Sequence, residues 1–184
     1  DARLAIWSVA LVFDMAGPLF IDTTGWRLVP GHFAERHGLI VLVALGESIV
    51  AIGVGAGAGV DGGVIAAAVA GIAVAAAFWW LYFDIAALAA ARRLDEVEDV
   101  KERNELARDA FSYLHLPMVA SVVLVALGMK YTLGHVGDPL HWELAAALAG
   151  GAALYLVAQV AFKRRALGSL SLPRLLVAAV LLAV

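Results

Sequence analysis

Gly31-His32-Phe33-Ala34-Glu35-Arg36-His37-Gly38-Leu39-Ile40-Val41-Leu42-Val43-Ala44-Leu45-Gly46-Glu47-Ser48-Ile49-Val50-Ala51-Ile52-Gly53 is apolar enough to cross a membrane, yet it carries His32, Glu35, Arg36, His37 and Glu47. Ionisable groups are costly inside a bilayer and face protein or water there. On an ideal helix Arg36 and Glu47, eleven residues apart, fall within roughly 20° of one another and about 16 Å apart along the axis. Ile40 and Val43 lie between them. His32, Glu35 and Arg36 form an i, i+3, i+4 set and can touch. One face of the predicted helix is therefore polar from its start to its middle.

The rest of the chain is of the same kind. Its 184 residues are 63% hydrophobic and 16% charged, with a mean hydropathy of +0.90. A soluble domain is typically about 45–50% apolar and about 25% charged. The composition predicts an all-α, polytopic transmembrane helical bundle in a single domain. Expected spans cover about 4–20, 30–59, 64–91, 110–133 and 143–162, with a sixth opening at Pro173 and cut off at Val184. The abrupt ends suggest a fragment of a longer protein. No cysteine is present, which removes disulfide and thiolate chemistry. No basic region with a cleavage site precedes the first span, so that span does not read as a signal peptide. No basic, aromatic-interleaved stretch suggests nucleic acid.

Taken in order, span one holds Asp14 ahead of Gly17-Pro18. Pro18 cannot donate to the carbonyl of Asp14, so a carboxylate and a free carbonyl sit together. A kinked helix end and a functional polar site both fit. Pro30 suits the first turn of span two. The tail Gly53-x-Gly55-x-Gly57-x-Gly59 allows either close helix approach or a loosely wound end. Asp61-Gly62-Gly63 reads as a tight turn. Span three ends in Trp79-Trp80-Leu81-Tyr82-Phe83-Asp84, too deep for an interfacial belt. Residues 92–109 are strongly charged and read as a solvated segment without a site. His115-Leu116-Pro117 opens span four.

Lysine and arginine counts in short loops set orientation. Arg27, Arg92, Arg93, Lys101, Arg103, Arg108, Lys163, Arg164, Arg165 and Arg174 follow spans one, three and five; the other side has Arg3 and Lys130. This predicts cytoplasmic loops at 21–29, 92–109 and 163–172 and an outside N-terminus. Asp14, Arg36, Asp84 and His115 then share a depth of roughly 8–11 Å from the inner interface. A buried charge network is expected, with Arg36 paired to Asp14 or Asp84 and Glu47 near the midplane.

The run from His32 to Gly53 resembles the signature of the bacterial low temperature requirement protein A family. Asp14-Met15-Ala16-Gly17-Pro18, Trp79-Trp80-Leu81-Tyr82-Phe83-Asp84 and Tyr113-Leu114-His115-Leu116-Pro117 support it. The resemblance covers nearly the whole chain and corresponds to the middle and later part of that family. It implies a polytopic protein of the bacterial inner membrane whose N-terminal spans are missing here.

Three function classes can be compared. Transport or conduction of a proton, ion or small polar solute accounts for ionisable groups at several depths and for the Gly and Pro interruptions. A structural or lipid-sensing protein would use the same charges as ion pairs locking the helices; this explains Arg36 well and Glu47 poorly. An enzyme is the weakest reading. Gly46-Glu47-Ser48 is followed by Ile49 and Val50 rather than the glycine of a nucleophile elbow. His32 and Glu35 could ligate from one turn, but no H-E-x-x-H or similar pattern occurs. The expected polar site is Glu47, Arg36, Glu35, His32, Asp14, Asp84, His115 and Ser48, with no metal, no cofactor and no catalytic residue. Expected partners are the lipid bilayer, the missing spans and further copies of the chain.

Overall fold

A computed structural model describes residues 2–20, 23–57 and 59–183. Ile21 and Asp22 of the first expected loop, Ala58, and the terminal Asp1 and Val184 lie outside the described residues. The architecture is all-α, as the composition requires. The helices are α1 (Ala2–Phe20), α2 (Pro30–Gly55), α3 (Gly62–Phe83), α4 (Ala86–Glu96), α5 (Val100–Leu106), α6 (His115–Gly134), α7 (Trp142–Leu167) and α8 (Leu172–Leu182). Thr23–Gly25 is a 3₁₀ turn and Ala107–Tyr113 is π-helical. Among the described residues five helical segments are long and apolar enough to cross a membrane: α1, α2, α3 with α4, α5 through α6, and α7.

The core sits around α6, which packs along α2 on one side and α7 on the other. Van der Waals packing, not a hydrophobic drive, holds helices together in lipid, so small residues mark the crossings. A Cβ at Gly55 would lie 2.6 Å from the Lys130 carbonyl of α6. A Cβ at Gly151 of α7 would lie 3.1 Å from the Ser121 carbonyl. Of the four glycines at the tail of α2, Gly55 alone is a packing notch, since a Cβ at Gly53, Gly57 or Gly59 meets nothing within 4 Å. The helix stops at Gly55, short of the expected residue 59, and the chain turns through Gly57 with φ +57. Asp61 then caps α3 by accepting from the Val64 amide at 2.8 Å.

Three features depart from a simple row of spans. First, α1 buries no residue. It meets the bundle through its last turns, where the Tyr113 hydroxyl donates to the Met15 carbonyl at 2.6 Å and Arg108 Nη1 to the Pro18 carbonyl at 3.5 Å. Second, the span expected at 64–91 is broken at Asp84–Ile85, where Ile85 leaves helical geometry with φ −131 and ψ −39. A broken helix in lipid needs its freed carbonyls satisfied by neighbours. Here the Gln159 side-chain amide of α7 donates to the Leu81 carbonyl; one turn earlier, where the helix is still regular, the Tyr155 hydroxyl adds a bond to the Phe78 carbonyl at 2.6 Å. Arg174 in the first turn of α8 donates in turn to the Gln159 side-chain oxygen. Third, the stretch before α6 winds wide: the Leu114 amide donates to the Asp109 carbonyl at 3.1 Å, five residues back. Pro117 has no N–H, so the regular ladder cannot run straight through into α6.

The charged segment 92–109 is helical over much of its length and not wholly solvated. Leu94, Val97, Leu106 and Ala107 are core residues. Buried Asn104 donates to the Thr23 and Trp26 carbonyls at 2.6 and 3.2 Å, which pins the α1–α2 link to α5.

Candidate functional site

The expected polar residues fall into two groups. His115 and Ser48 are buried; Asp14, His32, Glu35, Arg36, Glu47 and Asp84 are exposed on the surface of this chain.

The buried group is a node between helices. The π-helical turn ahead of α6 brings His115 against Phe111, its ring stacked at a centroid distance of 5.5 Å. His115 Nδ1 lies 3.0 Å from the Ala110 carbonyl. A carbonyl only accepts, so Nδ1 carries the hydrogen. In the neutral ring Nε2 is then a lone pair, and Tyr82 of α3 donates its hydroxyl to it at 2.7 Å. His37 of α2 repeats the pattern: Nδ1 donates to the Phe33 carbonyl at 2.9 Å, and the ring meets that of His115 edge-on at 5.2 Å. Its Nε2 has no hydrogen-bond partner among the described residues. Phe162 closes the node from α7, 5.1 Å from His115. Four elements thus converge on two imidazoles and a phenol in an aromatic wall. The Tyr82 hydroxyl donates, the neutral His115 ring accepts, and the Ala110 bond keeps that ring fixed, so the node ties α3 to the start of α6.

The exposed group lies along α2 and near it. His32 Nδ1 and the Glu35 carboxylate are 4.0 Å apart, as their i, i+3 spacing predicts. Arg36 and Glu47 are both exposed, as one shared helix face requires. Ser48 lies off that face: its buried hydroxyl donates to its own helix at the Ala44 carbonyl, 3.2 Å away. The expected pairing of Arg36 with Asp14 or Asp84 is not formed among the described residues, where ion pairs within 4.0 Å join His32–Glu35, Arg93–Glu102, Arg108–Asp109 and Arg165–Asp109. The reason is geometric. Asp14 rides on the exposed α1, and Asp84 turns outward at the α3–α4 break. At the start of α2, Arg36 and His32 line an open pocket of about 480 Å³ with Arg27, Trp26 and Phe33. No group of three or more His, Cys, Asp or Glu side chains suited to a metal is present among the described residues.

Sequence reading missed His37, Tyr82 and Gln159 as members of a site. His37 lies seven residues past Pro30 and Tyr82 two before Asp84, but only the tertiary fold shows that they meet His115. Gln159 is a lone amide in the apolar run of span five, and nothing in the sequence ties it to Leu81, seventy-eight residues away.

The family model of the bacterial low temperature requirement A protein (LtrA) matches residues 1–184. An uncharacterized protein of Rhizobium meliloti (strain 1021) is 30% identical over 175 residues, covering 88% of this chain and 41% of that protein. The chain thus spans less than half the length of this curated relative. No solved structure matches the chain.

Proposed function

We propose, from the premise that this chain belongs to the bacterial low temperature requirement A family, that it is part of a non-enzymatic carrier or channel for a proton, ion or small polar solute in the bacterial inner membrane. The protein is a multi-pass helical membrane protein. One observation carries the reading. Arg36 and Glu47 share an exposed face of a membrane-spanning helix, and neither has an ionic partner among the described residues. Charged groups at such depth face water or another polar surface, not lipid. A polar face in the membrane that this chain does not seal from within is what a permeation path needs.

Two further features support it. The α3–α4 helix is discontinuous beside Asp84, and broken helices frame the binding sites of many transporters. The pocket at the start of α2 offers Arg27, His32 and Arg36 to a small anion or polar group. In this reading Glu47 is the titrating residue, Arg36 and His32 hold charge at the entrance, and the His115–Tyr82 pair positions α6 against α3. Loops 21–29, 92–109 and 163–172 face the cytoplasm.

The test is flux through the full-length protein in liposomes with and without a pH gradient. Glu47→Gln keeps shape and hydrogen bonding but removes titration. It should fold, insert and lose pH-dependent flux. Full pH-dependent flux in this variant ends the assignment.

A further inference from the structure

The ends of α4 and α7 enclose an open pocket of about 590 Å³. Arg92 and Arg93 line it from α4, and Arg164 and Arg165 from α7. Glu96 is the one acid in the lining. Arg93 is engaged by Glu102 at 3.4 Å and Arg165 by Asp109 at 3.0 Å. Arg92 and Arg164 have no carboxylate within 4.0 Å among the described residues. Ala89, Ala166 and Leu167 supply an apolar floor beside the four guanidiniums.

From this geometry we infer that the α4–α7 pocket binds a phosphate group, held by Arg92 and Arg164, at the membrane surface. Guanidinium groups repel one another when they share a cavity, and an anion with several acceptor oxygens relieves that repulsion. Arginine presents a planar fork of donors that matches phosphate bidentately. Helix ends alone do not account for the cluster. A basic residue in the last turn balances its own helix's carbonyl dipole, but that effect does not require two helices to aim arginines into one space. Depth fits as well. With 26 residues α7 is about 39 Å long, against roughly 30 Å of hydrocarbon, so its last turns reach the headgroup zone. The phosphate is therefore either that of an anionic lipid, with its chains over the apolar floor, or a free anion from water. Basic pockets between helix ends are common lipid-headgroup sites.

The full-length protein in nanodiscs tests this with two probes: phosphatidylglycerol mixed into phosphatidylcholine, and inorganic phosphate added to phosphatidylcholine discs at constant ionic strength. Lipid retained through detergent extraction is read by native mass spectrometry, and phosphate binding by the shift in unfolding temperature. The double variant R92Q/R164Q is compared with R3Q/K130Q, which removes the same charge elsewhere. Retention of phosphatidylglycerol should fall roughly fivefold per arginine in the first variant, about twenty-five-fold in all, and less than twofold in the second. R92K/R164K keeps the charge but not the planar fork; it should fold even if R92Q/R164Q does not, and retain part of the binding but less than the unaltered protein. An arginine-dependent shift with phosphate but not with the lipid assigns the site to a free anion. An equal loss in both glutamine variants, or no binding of either probe, overturns the proposal.

Discussion

At the residue scale, the two histidines of the node are held by the same device. Each Nδ1 is committed to a carbonyl of its own chain segment, which leaves each Nε2 as an acceptor. Tyr82 answers one of the two. Interhelical hydrogen bonds in membranes average about 0.6 kcal/mol and reach about 1.7. Tyr82→Phe should therefore destabilise the protein by about 0.6–1.7 kcal/mol in a denaturant titration in micelles. His115→Phe with Tyr82→Phe should cost less than the two single changes added together; strict additivity would mean that the bond contributes nothing. Glu47 differs in kind. It is exposed and makes no hydrogen bond or ion pair through its side chain among the described residues, so Glu47→Gln should leave stability within about 0.5 kcal/mol. A large loss of stability in the same titration would make Glu47 a structural residue.

At the scale of the element, single positions decide how the helices meet. Gly55 admits the Lys130 backbone at a distance no side chain allows. A backbone cannot step aside as a flexible side chain can, so Gly55→Ala should cost about 1–3 kcal/mol by forcing α2 and α6 apart. Gly53→Ala, two residues earlier, meets nothing within 4 Å and should be neutral or stabilising by up to about 1 kcal/mol through helix propensity. Thermal unfolding of the two variants side by side checks the contrast; equal behaviour removes Gly55 from the crossing. The α3–α4 break rests on Gln159 in the same way. Replacing it by leucine leaves the part-buried Leu81 carbonyl without this donor, at about 1 kcal/mol. Faster amide exchange should then appear around Asp84 and Ile85, and unchanged exchange there would mean the break does not depend on α7.

At the scale of the whole molecule, the asymmetry of lysine and arginine sets the expected orientation. Glu98 lies in the charged link between α4 and α5, and His135 in the turn after α6. A membrane-impermeant thiol reagent added to intact cells should modify His135→Cys and spare Glu98→Cys. The opposite pattern inverts the topology, and with it the side of the membrane on which the α4–α7 pocket opens. The bundle also has two unlike surfaces. Its centre, α6 between α2 and α7, is close-packed, whereas α1 and the outer face of α2 carry Asp14, Arg36 and Glu47 at the chain's surface.

Composition and periodicity alone determined the helical class, the number of long apolar segments, the start of α2 at Pro30 and the turn at Asp61-Gly62-Gly63 ahead of α3. These are local matters. A span needs only a sufficient apolar length, and a cap needs only one side chain near one helix end. The His32–Glu35 proximity and the common face of Arg36 and Glu47 were legible for the same reason, since 3.6 residues per turn fixes both. The break at Asp84–Ile85 was not legible, because no proline or glycine marks it. The Leu81 carbonyl beside it is bonded from outside by Gln159, seventy-eight residues away. The meeting of His37, Tyr82 and His115 was hidden likewise, as were the four arginines at the α4–α7 pocket, which come from two separate stretches of sequence. Equal depth made a pairing of Arg36 with Asp14 or Asp84 plausible. Depth, however, says nothing about the direction a helix face takes around the bundle, and only the packing of α2 on α6 turned that face outward.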